Sequence, residues 1–140
     1  MYGGRVDLDI IKAVKDAVSI PVIASGDIVD IQTLERAKHY TNCDAFMIGR
    51  GALGSPEIFS KLQGKDYTGD KFDIVKKHIQ LLREYYPEKF ISGHIRKHLL
   101  WYLKGYSGAS EIKLQVSTEP NLDKVLKIMH EFMSKCKNNG

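Results

Sequence analysis

Apolar and polar positions follow two different patterns along this chain. Up to Leu62 the apolar residues come as short runs broken by glycine; beyond Asp70 they come as stripes at three- and four-residue spacing. Met1–Arg5, with Gly3-Gly4, reads as a loop. Asp7 is placed to cap a helix, and Ile10, Ile11, Val14 and Val18 predict an amphipathic helix over 8–18. A strand is expected near 20–24. Pro21 is tolerated at its start, and Val22-Ile23-Ala24 shows no polar alternation, as in a parallel strand buried on both faces. Ser25-Gly26-Asp27 breaks that strand, and Ile31, Leu34 and Ala37 line a helix over 30–40. Thr41–Asp44 reads as a turn, 45–48 as a second buried strand and Gly49-Arg50-Gly51 as its loop. Two such strands joined by a helix predict a right-handed crossover.

Ser55 as N-cap, Pro56 at the first helical position and Glu57 in the first turn predict a short helix through Leu62. The polar stretch Gln63–Asp70, with two glycines, marks a boundary between modules. Beyond it, Phe72, Val75, Ile79, Leu82 and Tyr86 predict a helix that Pro87 ends. A second helix spans 89–104, with Gly105 as its stop, and a third spans 109–116. After Pro120, the stripe Leu122, Val125, Leu126, Met129, Phe132 and Met133 predicts the last helix. Stripes of this kind are the core of a helical bundle. The expected fold class is thus α/β followed by all-α, divided at residues 64 and 65.

Composition sharpens this picture at two points. With 140 residues, 43% hydrophobic and 27% charged, the sequence reads as globular. No apolar run approaches the roughly 20 residues that span a bilayer, and no secretory pattern follows Met1, so a cytoplasmic protein is expected. The net charge of +4 is unevenly held: residues 1–64 carry seven basic and eight acidic side chains, residues 65–140 fourteen and nine. The basic excess lies in the helical half, where it suits an acidic partner or a solvated surface. Cys43 and Cys136 lack the spacing of a metal or redox pair and are expected as reduced thiols. Cys43 reads as a small buried hydrophobe, and Cys136, near a frayed terminus, has no catalytic reading.

The chemistry lies in two places. The loops Ser25-Gly26-Asp27 and Gly49-Arg50-Gly51 fall at the same end of neighbouring strands. Glycines there let backbone N–H groups approach an anion, and the following helix adds its positive dipole end. Asp27 could serve as a base, although a carboxylate in such a turn more often holds the loop. Arg50 could meet an anion or form a structural salt bridge. In the second helix, Lys89, Gly93, Lys97, Trp101 and Lys104 share one face, with Arg96 beside it. Phe90, Ile91, Ile95, Leu99, Tyr102 and Leu103 are assigned to the core. A cationic stripe containing an indole suits phosphate contact plus stacking on an unpaired base. It equally suits a solvated basic face with a half-buried Trp. His94 and His98, one turn apart without a third ligand in view, point to packing or RNA contact rather than metal.

Three segments carry a resemblance: Ile20–Ile28 (IPVIASGDI), Asp44–Ala52 (DAFMIGRGA) and Arg96–Gly105 (RKHLLWYLKG). In this order they closely resemble the C-terminal half of the tRNA-dihydrouridine synthases, over nearly the whole chain. The first two motifs also occur in other flavin-binding barrels; the third is the more specific. The resemblance implies residues 1–64 as the end of an FMN-binding (β/α)8 TIM barrel, with residues 8–62 including its strands seven and eight. It implies residues 65–140 as a helical tRNA-binding domain. The implied reaction is reduction of the uridine C5–C6 bond, with NADPH reloading the FMN. Ser25, Gly26, Asp27, Gly49 and Arg50 are implied to hold the FMN phosphate and ribityl end, and Arg96, Lys97, His98, Trp101 and Lys104 to face tRNA. TIM barrels commonly place a phosphate site after these strands.

The family usually has Gly-Asn-Gly-Asp where this chain has Ala24-Ser25-Gly26-Asp27. An amide donor is thereby replaced by a hydroxyl, and a modest loss of flavin affinity is expected. The barrel half that carries the family's catalytic cysteine, lysine and histidine lies outside this sequence, so no catalytic residue is assigned and the chain alone is expected to be inactive. Two parallel strands leave unpaired edges, so residues 1–62 are expected to be marginal alone and prone to self-association, whereas 71–136 could fold as a bundle. A catalytically empty RNA-binding module and a fragment of a phosphosugar-handling barrel are the competing readings.

Overall fold

The computed structural model describes residues 5–138, in two compact units that divide between Tyr67 and Thr68. The loop expected at Met1–Arg5 lies, but for Arg5, outside the described residues. No helix among the described residues is long and apolar enough to cross a membrane.

The first unit begins with helix α1 (Leu8–Ala17), capped as expected by the Asp7 carboxylate, which accepts from the N–H groups of Asp9 and Ile10. Strand β1 (Ile23–Ser25) leads through the first glycine loop to α2 (Ile31–Thr41). Asp30 starts α2 in a capping box with Thr33, each side chain serving the other's backbone N–H. Thr41, expected in a turn, is the last residue of α2 and is buried, its hydroxyl donating to Ala37 O at 2.8 Å. Strand β2 (Ala45–Met47) pairs parallel with β1 in the register Ile23↔Ala45, Ala24↔Phe46, Ser25↔Met47. Asp44 fixes the entry to β2. Its carboxylate accepts from Lys15 Nζ and Val22 N, each at 2.7 Å, and the Lys15 hydrogen bond followed by that of Val22 holds its pKa below the usual carboxylate range.

Three expectations for this unit are corrected. Neither strand is buried on both faces: Ala24 is buried, but Ile23 is 66% and Met47 54% exposed. Helix α1 is amphipathic in sequence, yet it contributes no buried residue, and Ile10 is 63% exposed. Apolar runs record what a strand or helix is suited to cover, not whether the cover is present. The loop after β2 winds into a 3-10 turn (Arg50–Ala52), and helix α3 (Ile58–Leu62) starts later than expected. Ile58 N, Phe59 N and Ser60 N bond to the carbonyls of Ser55, Pro56 and Glu57, so the entry is a tight three-residue turn and not a capped first turn at Ser55.

The second unit is all helix. It comprises α4 (Lys71–Tyr85), α5 (Glu88–Tyr102), α6 (Ala109–Thr118) and α7 (Leu122–Asn138). In sequence order, each helix packs on the next. Asp70 caps α4 by accepting from Phe72 N at 2.8 Å and pairs with Lys137 of α7 at 2.8 Å. The expected stripes form one contiguous core, except that Tyr86 is 43% exposed; Val75, Ile91, Ile95, Leu103, Val116, Val125 and Met129 are wholly out of solvent. Each such side chain contributes roughly 1.5–3 kcal/mol of burial. Helix α5 ends at Tyr102, two residues earlier than expected, and α6 continues to Thr118, two residues later. Cys136 lies in the last turn of α7, and Cys43 is buried as expected.

Candidate functional site

Because β1 and β2 run parallel, their two glycine loops emerge at the same end of the sheet. They also touch. A Cβ on Gly51 would lie 2.4 Å from Ile28 O, so only glycine allows the second loop to rest on the first. A Cβ on Gly26 would lie 2.2 Å from the Val6 side chain, which packs on that loop from the chain's N-terminal side. Asp27 adopts a left-handed conformation (φ 44°), which its short polar side chain tolerates. Its Oδ2 accepts from Val6 N at 2.9 Å and its Oδ1 pairs with Arg50 Nη2 at 2.6 Å. Asp27 therefore ties three segments together, and the two alternatives for Arg50 meet in one arrangement, a salt bridge whose guanidinium is still largely exposed. Ser25 ends β1 with its side chain exposed, and the space around Gly49 is open.

Beside this loop is a cleft of about 380 Å³ lined by Arg5, Val6, Leu8, Gly26, Asp27, Thr33, Arg36 and Ala37. Two arginines thus flank the Gly26-Asp27 loop, which the sequence reading did not single out. Arg36 was hidden among the polar positions of α2, and Arg5 belonged to a stretch read only as a loop.

In the second unit, Lys89, Gly93, Lys97, Trp101 and Lys104 are all exposed, as the spacing predicts. Lys104 Nζ lies 5.3 Å from the Trp101 ring centroid, and Lys89 Nζ lies 5.0 Å from that of Phe90. Arg96 does not share this face. Its Nη1 donates to Val116 O and Glu119 O, each at 2.7 Å, and its Nη2 donates to Ser92 Oγ at 2.9 Å. It closes the C-terminal end of α6, where carbonyls lack helical partners. His98 is half-buried and meets His78 of α4 edge-on at 5.0 Å, while His78 Nδ1 lies 3.1 Å from the Tyr102 hydroxyl. Burial first, and then the neighbouring His98, lowers the pKa of His78; burial first, and then Lys97, lowers that of His98. His94 stacks on Tyr86 with centroids 4.3 Å apart. Among the described residues, no group of three or more His, Cys, Asp or Glu could hold a metal ion.

The sequence profile of the dihydrouridine synthase (Dus) family matches residues 1–137. The chain belongs to that family. It is 41% identical to tRNA-dihydrouridine synthase B of Vibrio parahaemolyticus, a match that covers 81% of this chain and 38% of the relative. It is 40% identical to tRNA-dihydrouridine synthase B of Pasteurella multocida, over 75% of this chain and 34% of the relative. A probable tRNA-dihydrouridine synthase of Rickettsia conorii is 35% identical, over 80% and 37%. The chain spans less than half the length of these relatives.

One further feature of α5 differs from the expectation. Phe90 was expected in the core but is 48% exposed. It continues the α5 face toward the N-terminus, one turn before His94. The signal was present: positions 90, 94, 97, 101 and 104 follow four-, three-, four- and three-residue steps. Apolar character alone assigns Phe90 to the core, whereas its position on the helix puts it on the exposed face.

Proposed function

We propose that this chain supplies the phosphate-gripping edge of the flavin site and the RNA-holding helices of a tRNA-dihydrouridine synthase, an oxidoreductase acting in tRNA processing. The observation that carries the reading is the exposed α5 face, on which lysines alternate with Trp101, in a chain of this family. Residues 1–64 then correspond to the last part of a TIM barrel and residues 65–140 to the tRNA-binding domain.

The loop geometry fits an FMN phosphate. The exposed Ser25 hydroxyl, the open backbone at Gly49 and the exposed Arg50 guanidinium are donors of the required kind at one end of the sheet. Asp27 bears a charge that opposes an anion. Its role is to orient Arg50 and pin Val6, and Gly26 admits that packing. When bound, FMN supplies the reducing equivalents for the uridine C5–C6 bond and is reloaded by NADPH. No residue here is assigned to proton transfer: Cys43 is buried and Cys136 lies on α7.

On the RNA side, Lys97, Trp101 and Lys104 present charge and a stacking surface, with His98 beside them. Arg96 supports the face indirectly by fixing α6 against α5. The test is binding of an unmodified tRNA transcript over a series of salt concentrations. Lys97→Ala is expected to lower the slope of log affinity against log salt by about one. An unchanged slope removes Lys97 from the interface.

A second reading is favoured by the lysine and aromatic face of α5, which needs no flavin: an RNA-binding module that does not turn over. Salt-sensitive tRNA binding with no flavin absorbance at saturating FMN selects that module. A chain that retains flavin selects the enzyme part.

A further inference from the structure

Gly93 lies inside α5 on the exposed face, and nothing among the described residues requires a glycine there. Its backbone is helical, and a Cβ built on it meets no atom within 4 Å. A glycine inside a helix is destabilising relative to alanine, so this one costs stability without relieving any contact among the described residues. Its use is to leave helix backbone bare for something that approaches from outside.

The surroundings identify the visitor. On the N-terminal side, Phe90 projects half-exposed with Lys89 over its ring, and His94 stacks on Tyr86. On the C-terminal side come Lys97 and then Trp101 with Lys104 over its ring. Residues three and four apart are neighbours on a helix, so these side chains form one strip about 16 Å long from Phe90 to Trp101. The carboxylate at the head of the helix, Glu88, is engaged by Arg83 through two hydrogen bonds of 3.0 and 2.9 Å and leaves the strip cationic. Rings alternating with ammonium groups fit a strand that offers base faces and phosphates in turn. The flanking cations make a second apolar helix a poorer occupant.

We propose that a single-stranded segment of RNA crosses α5 at Gly93. Its backbone lies against the bare helix there, one base stacks on Phe90 and another on Trp101, and Lys89 and Lys97 meet the intervening phosphates. This rests on the RNA-binding reading above and adds a second stacking position and the crossing point.

The test uses the full chain and an unmodified tRNA transcript, with binding and thermal midpoint measured on the same samples. Gly93→Ala is expected to raise the thermal midpoint while weakening binding about tenfold, and Phe90→Leu to weaken it by a similar factor. Loss of binding by a more stable protein cannot be ascribed to misfolding. Gly93→Ala with parental affinity, or with a lowered midpoint, overturns the crossing point. A parent chain whose tRNA binding shows no salt dependence overturns the RNA reading and this inference together. Salt-dependent binding by the parent that survives in Gly93→Ala overturns the inference alone. A concentration-dependent dimer that disappears in Gly93→Ala, with RNA binding intact, assigns the strip to a second copy of the chain and overturns it likewise.

Discussion

Arg96 holds two helices together from a position next to the cationic strip. Its guanidinium reaches the carbonyls of Val116 and Glu119 and the Ser92 hydroxyl at once. Arg96→Ala leaves those carbonyls without their charged donor and is expected to destabilise the helical unit by about 2–3 kcal/mol, read as a lower urea midpoint. Arg96→Lys should recover only part, because a single ammonium cannot reproduce a planar fork aimed at several oxygens. An Arg96→Ala protein with the parental midpoint would show the bonds to be dispensable. The case marks where sequence reading stops at the residue scale. Lys97 and Trp101 fall where the spacing puts them, since helical period alone separates an exposed face from a core face. Arg96 sits at the border of both, and its partner is the end of a helix more than twenty residues away, which no local pattern encodes. Asp27 and Arg50 are similar. Their residue types suggested loop-holding and ion pairing, but that they serve each other depends on β1 and β2 lying side by side.

At the element scale, α4 and α5 meet through the pair His78 and His98 as well as through aliphatic side chains. Both imidazoles have their pKa lowered, chiefly by burial. Unfolded, each ring titrates at about 6.5, and folded it titrates below that. The unfolded chain therefore takes up protons first, and the stability tied to the neutral pair is present above the unfolded value and lost as pH falls through the folded values. The urea midpoint of the helical unit is expected to decline from about pH 7 to pH 5, and His78→Gln/His98→Gln to flatten that decline. A parallel decline in the double variant would place the titration elsewhere. The helices themselves were legible because their stripes repeat over several turns and Asp7, Asp70 and Pro87 bound them. The strands were legible as strands and misread as buried, because three apolar residues look the same whether or not a neighbouring layer covers them.

At the scale of the whole molecule, the two units differ in what holds them. The contiguous core cluster is built entirely from the helical unit. Among the described residues of the first unit, the buried apolar side chains are Ala24, Ile28, Ala37, Cys43 and Ile58, while Ile10, Ile20, Ile23, Val29 and Met47 are exposed. A two-stranded sheet with that much uncovered apolar surface is marginal, whereas a four-helix unit with a closed core unfolds cooperatively. The chain's single tryptophan, Trp101, lies in the helical unit, so its fluorescence reports that unit alone, while far-UV circular dichroism reports both. In urea, ellipticity is expected to fall first, with α1 and α2, before the fluorescence moves. The early step should also shift to higher urea as protein concentration rises, because association through uncovered strand edges stabilises the first unit by mass action. Coincident transitions by the two probes, independent of concentration, would mean that the first unit is as well held as the second. The exposed sheet would then have to be covered by contacts that its own residues do not supply within the unit.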